Sequence, residues 1–80
     1  MKLSKTQQAV IDAMAARASL VNFRGIETAW LFVGGKMLWV GESTFRALKR
    51  LAVVEVAEAR GNDDHYTLTE LGRSLATKKD

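Results

Sequence analysis

The stretch Ser43-Thr44-Phe45-Arg46-Ala47-Leu48-Lys49-Arg50-Leu51, followed by Ala52-Val53-Val54-Glu55-Val56, decides how this chain is read. Stepping ~100° per residue, Phe45, Ala47, Leu48, Leu51 and Ala52 fall on one side of a helix over residues 43 to 51. Glu42, Ser43, Arg46, Lys49 and Arg50 fill a contiguous arc on the other. Gly41, Glu42 or Ser43 starts this helix, and a side-chain oxygen there suits a cap. Val53-Val54-Glu55-Val56-Ala57-Glu58 follows as a β-branched strand. Gly61-Asn62-Asp63-Asp64 has turn chemistry, and His65-Tyr66-Thr67-Leu68 returns as a second strand. Thr69 then caps a short helix from Glu70 to about Ala76, with Thr67-Leu68-Thr69-Glu70 offering a capping box.

Upstream, Ser4-Lys5-Thr6-Gln7 matches a capping box. Leu3, Val10, Met14 and Ala18, with Ile11 beside them, recur at helical spacing, which predicts a helix from about residue 5 to 18. Lys5, Gln8, Asp12 and Ser19 take the opposite face. Leu20-Val21-Asn22-Phe23-Arg24 is β-prone and stops at Gly25.

Two apolar runs, Ala29-Trp30-Leu31-Phe32-Val33 and Lys36-Met37-Leu38-Trp39-Val40, flank Gly34-Gly35. That is a hairpin signal. It sets Val33 opposite Lys36, Phe32 opposite Met37, Leu31 opposite Leu38 and Trp30 opposite Trp39. A helix over 26 to 33 is the alternative. Trp, Phe and Val are weaker helix formers and two glycines follow at once, so the hairpin is preferred. Trp30 and Trp39 then share one face. Core closure is the favoured reading of that face. The other makes Trp30, Phe32 and Trp39 an interface for a partner or a second copy.

The run Thr44-Phe45-Arg46-Ala47-Leu48 through Val54-Glu55, then Tyr66-Thr67-Leu68-Thr69-Glu70-Leu71-Gly72, resembles the back half of winged-helix regulators of the MarR and PadR kind. The resemblance covers roughly residues 43 to 73. It also extends to small phage and bacterial proteins in which a strand-rich insert precedes this module. It implies an α+β winged helix over residues 1 to 80: a long N-terminal helix, a β-hairpin insert, a recognition helix, a two-stranded wing and a short C-terminal helix. It further implies a bacterial or phage transcriptional regulator, in which Ser43, Thr44, Arg46, Lys49 and Arg50 enter the major groove of double-stranded DNA. Arg46 would meet guanine, whose O6 and N7 match its fork. Lys49 and Arg50 would meet phosphates, and Ser43 and Thr44 a phosphate near the helix start. Arg60 is the wing's cation.

The acidic tip Asn62-Asp63-Asp64 suits a second function better. In it the same module is a protein-binding adaptor, or a phage-encoded inhibitor of a host nucleic-acid-handling complex.

Composition bounds these readings. Eighty residues make one domain. Twelve Lys/Arg against nine Asp/Glu give a net charge of +3. Residues 1 to 50 hold eight cations and three acids, while residues 51 to 80 hold four and six. A positive half favours a polyanion. The chain has no cysteine and one histidine, so no metal and no cofactor is expected. No Gly-rich loop precedes a Lys-Ser/Thr pair, and no nucleophile stands with a base, so the chain is read as no enzyme. No secretory signal and no membrane span are expected, nor a small-molecule ligand; the expected location is the cytoplasm.

Overall fold

The computed structural model describes residues 2–77. The first helix, α1, spans Lys5–Ala15. Ser4 caps it as a full box: its Oγ accepts the Gln7 N–H at 3.1 Å, and its own N–H donates to Gln7 Oε1 at 3.0 Å. Val10, Ile11 and Met14 form its buried stripe. The helix stops three residues short of the expected end. Arg17 turns left-handed, at φ +77°. The Ala18 N–H then returns to the Ala13 carbonyl and the Arg17 N–H to the Met14 carbonyl. This is the hydrogen-bonded helix stop that usually carries glycine, here built on arginine.

Five strands follow with one helix among them: β1 Ser19–Phe23, β2 Ala29–Val33, β3 Lys36–Val40, α2 Glu42–Arg50, β4 Val54–Arg60 and β5 Asp63–Leu68, before α3 Glu70–Leu75. The strands make one antiparallel sheet in the order β3-β2-β1-β5-β4. The β2–β3 hairpin has the register expected from Gly34-Gly35, with Trp30 opposite Trp39 and Val33 opposite Lys36. Both glycines have positive φ, +52° and +83°, as the tight hairpin turn requires.

The helices cover one face of the sheet. Leu20, Leu31, Val40, Val54 and Leu68 point into the same core as Ile11, Phe45, Leu48 and Val53. Tyr66 meets Phe45 edge-on, with ring centroids 5.3 Å apart. The buried Asn22 amide donates to the carbonyls of Ile26 and Thr28 at 2.8 Å each, which folds the β1–β2 loop back on itself.

The expectation of a winged helix with a long N-terminal helix is overturned. The first helix has 11 residues, and three strands follow it directly. The physical reason lies in β1. It pairs with β2 on one side and with β5 on the other, where Leu20 faces Tyr66 and Val21 faces His65. The segment expected as a wing is thereby built into a five-stranded sheet. Its strands also run further than expected, so the turn shrinks to Gly61-Asn62. The capping box at Thr67 is not formed. Thr69 caps α3 alone, its Oγ1 accepting the Gly72 N–H.

Candidate nucleic-acid interface

Helix α2 forms because its two faces differ sharply. Phe45, Ala47 and Leu48 are buried on one side, while Ser43, Arg46, Lys49 and Arg50 are exposed on the other, with Thr44 half-buried between. Gly41 stands at the N-cap without a side-chain bond. Glu42 in the first turn and Lys49 and Arg50 in the last match the helix dipole. The helix ends as α1 does: Ala52 is left-handed at φ +58°, and Val53 N–H reaches the Leu48 carbonyl.

A shallow groove of about 440 Å³ brings Ser43, Arg46 and Arg50 together with Glu42. Arg46 is held on both arms of its fork. One nitrogen meets Glu27 Oε1 at 3.1 Å and the other Glu42 Oε2 at 3.0 Å. The hydrogen bond to Glu27, then the charges of Glu42 and Glu27, raise its pKa further. Arg46 thus has no free fork for guanine until both carboxylates let go. These pairs are about half exposed, and water screens such pairs so that they hold weakly, so the exchange costs little.

Lys49 and Arg50 differ from Arg46. The Lys49 ammonium sits 4.5 Å from the centre of the Phe45 ring. Neither Lys49 nor Arg50 has a carboxylate within ion-pair reach among the described residues. Arg60, at the end of β4, pairs with Glu58 at 2.8 Å, which raises the arginine and lowers the carboxyl. Glu58 and Asp63, the latter its cross-strand partner, stand beside it on the β4–β5 hairpin, a poor seat for phosphate. Asp64 is taken by Arg24 at 3.3 Å.

The tryptophans correct the core reading. Trp39 is 62% exposed, on the sheet face away from the helices. Its indole lies over Gly41. Phe32, Met37 and Leu38 are exposed near it, and Trp30 is half-buried. Met37 and Leu38 were not singled out by sequence reasoning. The signal was available, since an edge strand exposes both of its faces. Glu42 was also legible as an acid four residues before an arginine. Glu27 lies 19 residues from Arg46, and nothing local announces it.

A second opening of about 720 Å³ lies between the end of α1, β5 and α3, with Arg17, Tyr66, Glu70 and Arg73 on its walls. Among the described residues no helix is long and apolar enough to cross a membrane. No family model, curated protein or solved structure matches the chain.

Proposed function

We propose that the protein binds double-stranded DNA through the solvent arc of α2, as a small regulator of bacterial or phage type in the cytoplasm. One observation carries the reading. Lys49 and Arg50 project from a helix whose other side is locked in the core, with no carboxylate to neutralise them among the described residues. Arg50 lines the groove that holds Ser43 and Arg46, and Lys49 stands one residue before it on the same exposed arc, a pair that suits a phosphate backbone. Arg46 joins them only after exchanging Glu27 and Glu42 for the polyanion. Contact is therefore mainly to the backbone, with little base selection from α2 alone. Gel shift with random-sequence duplex at low salt tests this. Wild type shifts the duplex, and the Lys49→Ala/Arg50→Ala double variant shifts it far less, needing much more protein for the same fraction bound. No shift by wild type at any salt rejects the reading.

The second reading is a protein-binding adaptor. It is favoured by the exposed Trp39, Met37 and Leu38 on β3 and by the engagement of Arg46 and Arg60 with carboxylates. A folded protein that ignores duplex DNA would support it.

A further inference from the structure

The two edges of the sheet are built differently. At one, β4 carries Glu55, Glu58 and Arg60 and is broken by a bulge between Val56 and Glu58. Charge and a bulge are the usual guards against a second strand adding to an edge. At the other edge, β3 is regular, and Lys36 is its one charged residue. Met37 and Leu38 are each 51% exposed. Lys36, at the turn end, is the one guard on this edge, and from Met37 to Val40 it carries no charge and no bulge.

We infer that β3 is where two copies of this chain join, pairing antiparallel about Leu38 to make one continuous sheet. The hairpin fixes which backbone groups are free. Its two-residue turn makes Val33 and Lys36 exchange both backbone hydrogen bonds. By alternation Leu38 and Val40 also point their N–H and C=O groups at β2, while those of Met37 and Trp39 point outward. A two-fold axis through Leu38 sets Met37 of each copy opposite Trp39 of the other. The outward groups of one strand thus meet the outward groups of its mate, and every pair in the new ladder closes.

The side chains agree with that register. Met37 and Trp39 lie on the same sheet face, so a thioether meets an indole on each side of the axis, a favourable contact. Leu38 meets its own copy on the opposite face. Lys36 faces Val40, so the two like charges stand at opposite ends of the joint. The exposed parts of Trp39, Met37 and Leu38 on β3 amount to roughly 350 Å² per copy, or about 700 Å² together. That is the size of a weak, transient interface, so the new ladder of backbone hydrogen bonds supplies the register and the dimer forms only at high concentration. The inference stands on the sheet edge alone and does not need DNA binding to be right, although a pair of α2 helices would suit two half-sites.

Sedimentation of the full chain from about 1 µM to 1 mM, a range that reaches weak dimers, tests it. The expected result is a monomer–dimer equilibrium. Met37→Pro removes an outward N–H and leaves the β2 ladder intact, so it should weaken the dimer at least ten-fold. Trp39→Lys, which asks nothing of the backbone, should do the same and stands in if the proline variant does not fold. Amide exchange in wild type should slow at Met37 and Trp39 as concentration rises. A monomer across the whole range overturns the inference and leaves the edge to an unlike partner. So does a folded Trp39→Lys variant that dimerises like wild type, or a dimer in which those two amides exchange at an unchanged rate.

Discussion

The carbonyl oxygen of Val53 rests against the Cα of Gly72, in the space a β-carbon there would fill. The same carbonyl accepts the Thr69 N–H at 3.0 Å. Thr69 Oγ1 accepts the Gly72 N–H at 3.1 Å and donates to the Ala52 carbonyl at 2.6 Å. The Thr69-x-x-Gly72 spacing is therefore a joint: it starts α3 and ties it to the chain leaving α2. Gly72→Ala should destabilise by about 2–3 kcal/mol, because backbone meets the new methyl and cannot move aside cheaply. Alanine's better helix propensity, about 1 kcal/mol, works the other way and loses. A urea midpoint equal to or above wild type would contradict the close approach.

Arg17 and Ala52 occupy left-handed stops at the ends of α1 and α2, where a β-carbon is disfavoured. Replacing either by glycine relieves a cost of roughly 1–2 kcal/mol, partly offset by the freer unfolded chain. Arg17→Gly and Ala52→Gly should each stabilise by about 0.5–1 kcal/mol, and additively, because they end different helices. Thermal midpoints of the two single variants and the pair check this.

Burial, followed by the charge of Asp64, raises the Tyr66 phenol above its ordinary value. A raised pKa means the folded chain holds this proton more tightly than the unfolded one. The associated stability is complete below the unfolded value near ~10 and is lost as pH rises through the folded pKa. Tyr66→Phe keeps the ring against Phe45 and removes the titration. The difference in stability between wild type and this variant should be flat from neutral pH to about 10 and then turn in favour of the variant. Urea midpoints taken up the alkaline range report it, and a gap that stays constant would contradict it.

Much of the local structure was legible. The Ser4–Gln7 box, the Gly34-Gly35 register and the two faces of α2 all follow from residues a few positions apart. What was not legible depends on distant pairing. Leu20 to Phe23 reads as a strand, but nothing in those residues says that β5 pairs beside them and merges two hairpins into one sheet. That merger displaced the expected wing. The end of α1 was misplaced because arginine holds a position where sequence reading looks for glycine. Trp30 and Trp39 were correctly set on one face, but alternation alone cannot say which face the helices cover. The Arg46 fork looked free because Glu27, at the far side of the β1–β2 loop, is brought to it only by the fold.

Glu27 and Glu42 hold Arg46 and also repel phosphate. Neutralising them should therefore strengthen, not weaken, contact with nucleic acid. Glu27→Gln and Glu42→Gln should each tighten duplex binding modestly, by no more than about five-fold, because an exposed pair holds Arg46 only weakly. Fluorescence anisotropy at low salt is the readout, and weaker binding by either variant would mean that Arg46 acts only while paired.

The most direct measurement is duplex affinity as a function of salt. If Lys49 and Arg50, joined by the released Arg46, neutralise phosphates, log affinity should fall against log salt with a slope of about −2 to −3. In the Lys49→Ala/Arg50→Ala variant the slope should drop by about two and binding should disappear near physiological salt. A wild-type slope near zero, or a double variant with the wild-type slope, would contradict the assignment of α2 as the nucleic-acid surface.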